Sequence, residues 1–204
     1  MRKNERVGLG CPDWSATLYQ LARHKFVREL MLSTDDVLYP ACGYGYLSKL
    51  LAEKVLGVYA FDKDKKVIDY NDKNYRGNNI RYAVCNVWNF DTDEKFDVIM
   101  SFDFIEHLSK SDGIRFIDKY YQYLVDDGMF IIGTPRKGSN KTENRLKNHK
   151  CEYSVEDLER LLGRLFNRFM IFTQTDEIVG TQCSILAWNL IGIGLYPKWG
   201  VWND

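Results

Sequence analysis

A glycine turn follows the first short apolar run of the chain and limits the possible folds more than any other stretch. The run Val37–Tyr39 leads through Pro40 to two closely spaced glycines, Gly43 and Gly45, and a helical pattern begins at Tyr46. Glycine adopts backbone angles that other residues resist, and it leaves room for a ligand beside the main chain. A helix N-terminus adds N–H groups and a partial positive charge. These features together predict a strand, a turn and a helix that bind a nucleotide-type cofactor.

An acidic residue ends the second apolar run. Asp62 follows Leu56–Phe61, and Lys63 begins the next helical pattern. A carboxylate at the end of the second strand of a nucleotide-binding unit can bind the hydroxyl groups of a ribose. The same carboxylate could instead cap the helix that follows, since aspartate is a good N-cap residue.

Strand-like and helix-like patterns alternate through most of the chain, with apolar runs at 36–40, 56–61, 80–85, 96–102 and 129–133. Alternation of this kind predicts parallel strands joined by right-handed crossovers through helices. Two further β-rich runs, 169–173 and 183–190, have no helical pattern between them and predict an antiparallel closing pair. The sequence therefore predicts an α/β fold in which ligands bind beyond the carboxyl ends of the strands.

The length of the chain and its long polar stretch indicate how it is organised. The 204 residues suit a single domain, so we expect one domain over residues 1–204. Residues 1–32 form a polar arm and a helix that could act as a lid. The polar and basic stretch at 134–153 predicts a substrate-side loop, and loops of this length are usually functional or mobile.

The composition argues against several classes of protein. The formal net charge is +0, which gives no indication of nucleic-acid binding. The five cysteines are scattered without a C-x-x-C pair, so neither a disulfide framework nor a metal site is indicated. No apolar run reaches the roughly 18 residues of a membrane span, and no signal peptide is recognisable. We therefore expect a cytoplasmic protein with no membrane partner.

Four ordered sequence blocks resemble a known enzyme family. They are VLYPACGYGYLSKLLA, GVYAFDKD, FDVIMSFDFIEHL and LVDDGMFIIGTP. In this order they resemble the class I S-adenosylmethionine-dependent methyltransferases, and the likeness extends from about Arg23 to Trp188. The resemblance implies a Rossmann-like three-layer sandwich whose seven-stranded sheet is mostly parallel, has an antiparallel last strand and follows the order 3-2-1-4-5-7-6. It also implies S-adenosyl-L-methionine as the cofactor.

The resemblance and the strand-end rule together imply where the cofactor binds. The predicted cofactor-binding residues are Arg23, Tyr39, Ala41, Gly43, Gly45, Asp62, Lys63, Asn86, Val87, Trp88, Ser101, Phe102 and Asp103. Two of them depart from the family pattern, since Tyr39 stands where an acid is usual and Ala41 replaces the first glycine. The acid normally helps to hold the ammonium group of the cofactor, so another group would have to do so here. Alanine is a mild change if its backbone φ is negative.

Two histidines are the candidates for catalysis. A hydroxyl acceptor needs a base, and the imidazole of His107 or His149 titrates in a suitable range. Either residue could instead be structural, and His149 could be a solvated loop residue. The resemblance implies a small-molecule or sugar-type acceptor that is methylated on oxygen or nitrogen by a monomer or homodimer.

Two other functions fit parts of the sequence. Gly43-x-Gly45-x-x-Ser48 comes near the dinucleotide fingerprint, which would suit a nicotinamide-dependent oxidoreductase, although serine fits the third position less well than glycine. A non-catalytic module that binds S-adenosylmethionine is the other alternative, and Tyr39 and Ala41 favour it.

Overall fold

The computed structural model describes residues 14–139, 147–181 and 187–199. The predicted arm at 1–13, part of the predicted substrate-side loop and part of the predicted strand at 183–190 lie outside this range. The described residues form two compact units. The first comprises the residues up to Asp91 together with Asp176–Val179, and the second comprises the remainder.

The first unit is built on three parallel strands. Its elements are α1 (Trp14–Glu29), β1 (Asp36–Pro40), α2 (Tyr46–Ala52), β2 (Gly57–Asp62), α3 (Lys65–Asn74) and β3 (Ile80–Val84). The strand order is β3-β2-β1, with Pro40 opposite Phe61 and Asp62 opposite Val84. Because parallel strands end at the same edge of a sheet, the glycine turn after β1 lies next to Asp62 at the end of β2.

Apolar side chains hold these strands and helices together. Strand β1 is buried from its second residue to its last, as expected for a strand covered on both faces. Helix α2 buries Leu47 and Leu51, which are four residues apart, and α3 buries Val67 and Ile68, which lie four and three residues before the buried Asn71. Both helices pack on β2 and β3, so the apolar pattern fixes the helix that begins at the glycine turn.

From Phe96 onward the elements are β4 (Phe96–Phe102), a 3-10 turn (Ile105–His107), α4 (Lys110–Tyr121), β5 (Leu124–Pro135), α5 (Val155–Leu165), β6 (Phe166–Thr175), β7 (Ile178–Gly180) and β8 (Asn189–Pro197). Strands β4 and β5 are parallel, and β8 is antiparallel to both β5 and β6. The order in the second unit is therefore β4-β5-β8-β6. Helix α5 begins with a capping box, in which Ser154 and Asp157 each accept a hydrogen bond from the backbone N–H of the other.

The predicted fold class is confirmed, and two details differ. The described residues contain eight strands instead of seven, because the short β7 follows β6. The final strand runs over Asn189–Pro197, so the predicted position at 183–190 is wrong. Gly192 and Gly194 reduce the strand propensity of this segment. The fold needs a glycine at 194, because a Cβ there would lie 2.4 Å from the ring of Phe166. None of the described helices is long and apolar enough to cross a membrane.

Candidate functional site

Hydrogen bonds from two side chains hold the glycine turn of the first unit. The N–H of Gly43 donates to Oδ2 of Asp62 over 3.2 Å. Asn71, which is fully buried on α3, donates from Nδ2 to the Gly43 carbonyl over 2.7 Å and accepts from the Gly45 N–H over 2.7 Å. The turn is thus fixed to the end of β2 and to α3. Sequence reasoning missed Asn71, because a buried asparagine on a helix has no distinctive sequence signal.

The two glycines of the turn are needed for different reasons. Gly43 has a φ of +57°, and no atom lies within 4 Å of the place where its Cβ would be. Gly45 has an ordinary φ of −77°, but its Cβ would lie 2.4 Å from the hydroxyl oxygen of Tyr82. That hydroxyl donates to the Gly45 carbonyl over 3.0 Å. Gly45 therefore serves packing, whereas Gly43 faces open space, as a ligand cradle requires.

Asp62 binds the backbone on both sides of the carboxylate. It is 8 % exposed, and its Oδ1 accepts from the N–H of Asp64 over 3.0 Å while Oδ2 accepts from Gly43. The alternative that Asp62 caps the following helix is wrong, because Asp64 is the N-cap and accepts from the Lys66 N–H. A carboxylate oxygen can accept more than one hydrogen bond, so Asp62 can hold the turn and still accept from a ribose.

Tyr39, at the position of the usual acid, is directed into the first unit. Its side chain is 2 % exposed, and its hydroxyl lies 2.9 Å from Nε2 of His24 on α1. Nδ1 of His24 lies 2.8 Å from the carbonyl of Gln20, which can only accept, so Nδ1 carries the proton and Nε2 accepts from Tyr39. Where the family usually has an acid, this chain therefore has a tyrosine whose buried hydrogen bond joins β1 to α1.

Ala41 adopts a strained backbone conformation. Its φ is +55°, so the condition under which alanine would be a mild replacement for glycine is not met. A left-handed conformation costs an L-residue about 1–2 kcal/mol. The turn keeps the shape that a glycine would give it, because the N–H of Cys42 donates to the carbonyl of Phe61 over 3.0 Å.

The other predicted cofactor-binding residues of the first unit differ in their burial and in their contacts. Arg23 is 1 % exposed, with its guanidinium 5.5 Å from the centre of the Tyr19 ring. Lys63 is exposed. After β3, Oδ1 of Asn86 accepts from the Trp88 N–H over 3.0 Å, which forms a turn with Val87 buried, Asn86 exposed and Trp88 half-buried.

In the second unit, the three predicted cofactor residues lie at the end of β4. Ser101 and Phe102 are buried, and the Phe102 ring occupies the space where a Cβ on Gly133 would lie. Asp103 is half-buried with a φ of +51°, a conformation that aspartate tolerates better than most residues. Its N–H donates to the Gly133 carbonyl over 2.9 Å, which fixes the exit of the chain from β4.

Both predicted catalytic histidines also lie in the second unit, and they are neighbours. The rings of His107 and His149 are 5.2 Å apart, centre to centre, and nearly perpendicular. Glu106, which is 1 % exposed, lies beside them and accepts a hydrogen bond from Thr134 over 3.1 Å. Glu106 is not among the predicted site residues, because its contact with the histidines depends on a segment that is distant in sequence.

Comparisons with known proteins identify the family. Residues 37–128 match a family model described as a methyltransferase domain. A protein of Mycolicibacterium smegmatis named "Probable S-adenosylmethionine-dependent methyltransferase" is 28 % identical over 130 residues, which are 62 % of this chain and 49 % of that protein. The match thus spans about half the length of that curated relative. Residues 37–128 of this chain therefore match a methyltransferase domain in sequence.

Solved structures share the fold of this methyltransferase domain. The N-methyltransferase NodS from Bradyrhizobium japonicum, in complex with S-adenosylhomocysteine, is 19 % identical, with 88 % of each chain covered and a TM-score of 0.69. The plantazolicin methyltransferase BpumL, also with S-adenosylhomocysteine, is 13 % identical, with 92 % of this chain and 91 % of that chain covered and a TM-score of 0.64. The predicted resemblance to methyltransferases is therefore confirmed over residues 37–128, and both solved neighbours are complexes with S-adenosylhomocysteine, the demethylated form of S-adenosylmethionine.

Proposed function

We propose that this chain is an S-adenosylmethionine-dependent methyltransferase that acts on oxygen or nitrogen of a small-molecule or sugar-type acceptor. The observation that carries the proposal is the glycine turn of the first unit. The Gly43 N–H is bound to Asp62, and open space surrounds the place where a Gly43 side chain would be. These residues fit the cofactor, because the carboxylate suits ribose hydroxyls and the open backbone lets the ligand approach closely.

In such a reaction the protein holds the cofactor and the acceptor and orients them toward each other. When bound, S-adenosylmethionine supplies a methyl group on a sulfonium, so the reactive chemistry belongs to the cofactor. We assign Asp62 to the ribose hydroxyls and Asn86 to the adenine amino group, since both oxygens accept hydrogen bonds. The remaining predicted cofactor residues keep that role as part of the proposal. His107 and His149 are the proposed acceptor-side groups, because an imidazole exchanges protons near neutral pH.

The organisation of the protein is also part of the proposal. We propose one domain over 1–204, with 1–32 as a lid and 134–153 as the acceptor-side loop. A cytoplasmic location is supported by the scattered cysteines, which suit a reducing compartment. A monomer or homodimer would suffice, since the proposed cofactor-holding and acceptor-side residues all belong to this chain.

A non-catalytic module that binds S-adenosylmethionine is the second candidate. The specific observation in its favour is the Tyr39 hydroxyl, which is bonded to His24 and replaces the acid that usually holds the cofactor's ammonium group. Such a module would bind the cofactor without transferring its methyl group. The family match favours either of these functions over the nicotinamide-dependent oxidoreductase.

A pair of matched variants tests the assignment of Asp62. Asp62→Asn should weaken S-adenosylmethionine binding about 10- to 100-fold, because hydrogen bonds to a charged group contribute about 1.5–3 kcal/mol. Asp64→Asn is the control, since Asp64 lies two residues away and asparagine caps a helix as well as aspartate does. Calorimetric titration of both variants and the wild type gives the affinities, and thermal unfolding checks that each is folded.

The result that would contradict the assignment is equal weakening by the two variants, or none by Asp62→Asn. A panel of small-molecule and sugar acceptors with radiolabelled methyl donor then separates the two candidate functions. Methyl transfer to any acceptor supports the enzyme. Tight binding without transfer across the panel supports the module.

A further inference from the structure

Glu106, His107 and His149 form a compact cluster of potential metal ligands in the second unit. One carboxylate oxygen and one ring nitrogen from each histidine all lie within 4.8 Å of one another. Glu106 is buried, and both histidines are half-buried. Glu106 and His107 belong to the 3-10 turn after β4, whereas His149 lies in the segment that precedes α5.

Backbone hydrogen bonds hold the two segments of the cluster together. The N–H groups of Lys150 and Cys151 donate to the Glu106 carbonyl over 2.7 and 3.1 Å. In the opposite direction, Nδ1 of His107 lies 3.1 Å from the carbonyl of Asn148. Contacts on both sides of His149 therefore fix the position of its ring beside His107. The cluster is a product of the fold and does not depend on long side chains meeting at the surface.

The hydrogen bonds of the two imidazoles are those of metal-binding histidines. Nδ1 of His107 meets a backbone carbonyl, and Nδ1 of His149 meets Oε1 of Glu152 over 3.2 Å. These oxygens only accept, so each Nδ1 carries a proton and the lone pair of each neutral ring lies on Nε2. A metal-binding histidine usually donates its other N–H to a carbonyl or carboxylate, which fixes the tautomer and raises its basicity. The hydrogen bond from Thr134 orients Glu106 in the same way.

A bound cation would also offset the charge of the buried carboxylate. Glu106 is 1 % exposed, and a buried carboxylate requires hydrogen bonds together with a positive charge or a metal ion. We propose that Glu106, His107 and His149 bind one divalent transition-metal ion of the zinc type and leave at least one coordination position open.

The ligand set and its spacing indicate the kind of ion. Two histidines and one glutamate form one of the ligand sets of catalytic zinc, whereas Mg²⁺ prefers oxygen ligands alone. Ligand bonds of about 2.1 Å place two ligand atoms on one ion at most about 4.2 Å apart. The ligand atoms here all lie within 4.8 Å of one another, and a tetrahedral ion would hold them about 3.4 Å apart, so the side chains move closer by up to about 1.4 Å when the ion binds.

The metal site limits the kind of acceptor that the proposed reaction can use. This inference about the acceptor rests on the proposed function. An open position on the ion takes a hydroxyl group of the acceptor and makes it more acidic. Because both histidines then bind the ion through Nε2, they act as ligands and not as bases. The hydroxyl proton passes to water, and the oxygen forms a bond to the methyl carbon. The carbon–sulfur bond of the sulfonium breaks, which leaves a methyl ether and a neutral thioether. The proposal therefore favours oxygen acceptors over nitrogen acceptors.

Histidine NMR of the wild-type protein tests the metal site without any substitution. The chain has three histidines, and His24 serves as an internal control because both of its ring nitrogens are hydrogen-bonded. One equivalent of Zn²⁺ added to the chelator-treated protein should shift the ring ¹⁵N signals of His107 and His149 and leave those of His24 in place. Signals of all three histidines that stay unmoved with excess Zn²⁺ would overturn the proposal.

Calorimetric titration with Zn²⁺ alone gives the affinity and its dependence on each ligand. His149→Gln should weaken binding at least tenfold, and Glu152→Ala about 10- to 100-fold, because alanine removes the hydrogen-bond acceptor of the His149 ring. Glu159→Gln, an exposed residue on α5, and Cys151→Ser should both leave the affinity unchanged. Loss of binding in Cys151→Ser but not in His149→Gln would assign the ion to the thiol and overturn the proposal.

These measurements keep the two proposals separate. Zn²⁺ binding without S-adenosylmethionine binding would retain the metal site and reject the proposed function. Cofactor binding without Zn²⁺ binding would retain the proposed function and reject the metal site.

Discussion

Replacing Ala41 by glycine should stabilise the protein, which is an unusual direction for a substitution to glycine. Ala41 has a φ of +55°. A left-handed conformation costs an L-residue about 1–2 kcal/mol, whereas glycine adopts it freely. Glycine also gives the unfolded chain more freedom, which lowers stability by about 0.4–1 kcal/mol. The difference predicts that Ala41→Gly raises the free energy of unfolding by roughly 0.5–1 kcal/mol.

Two matched variants show whether backbone conformation is the cause. Gly43→Ala makes the opposite change at a φ of +57°, and nothing lies within 4 Å of the new Cβ. It should therefore destabilise by roughly 0.5–1 kcal/mol, which is the conformational strain less the entropy that alanine removes from the unfolded chain. Ala22→Gly lies inside α1 and should destabilise by about 0.5–1 kcal/mol. Urea unfolding of the three variants and the wild type, followed by circular dichroism, gives the free energies. For a chain of this length, 1 kcal/mol also shifts the melting temperature by about 2–4 °C.

A loss of stability in Ala41→Gly as large as that in Ala22→Gly would refute the reasoning. It would mean that Ala41 has an ordinary backbone conformation and that the turn differs from the one described. Gain of stability in Ala41→Gly with loss in Gly43→Ala would establish both left-handed residues of the turn.

Two further predictions concern Gly45 and Tyr82, which pack against each other. Gly45→Ala should destabilise the protein by about 1–3 kcal/mol in urea unfolding, because its Cβ would lie 2.4 Å from the Tyr82 hydroxyl and 2.9 Å from Cγ of Asn71. An effect no larger than that of Gly43→Ala would contradict the close contact between Gly45 and these two side chains. Burial raises the pKa of Tyr82, so the folded protein keeps this proton to a higher pH than the unfolded chain does. Its contribution to stability is therefore complete below pH 10 and declines as the pH rises toward the folded-state pKa. Tyr82→Phe should flatten the fall in unfolding free energy above pH 10, and a fall as steep as in the wild type would exclude this group.

Most strands and helices could be predicted from the sequence, because local residue patterns encode them. Strands β1 and β4 begin and end at the predicted residues, since continuous apolar runs mark strands buried on both faces. The capping box before α5 was also recognisable, because its two partners are three residues apart. The final strand was misplaced, since the glycines that make room for Phe166 also weaken the strand pattern.

The candidate sites were only partly predictable, because their details depend on contacts between distant segments. Asp62 could be proposed as a ligand or as a cap, and only the hydrogen bonds of Asp64 separate these roles. The left-handed backbone of Ala41 has no sequence signal. The approach of His149 to Glu106 depends on the closure of a long connection, which local patterns do not describe.

Calorimetric titration of the wild-type protein with S-adenosylhomocysteine tests the central claim most directly, since this product of methyl transfer should bind the same turn and has no methyl group to transfer. The account predicts saturable binding of one ligand per chain, with no competing binding of a nicotinamide dinucleotide. Absence of binding of both S-adenosylhomocysteine and S-adenosylmethionine at millimolar concentration would contradict the claim that the turn around Gly43 and Asp62 holds this cofactor.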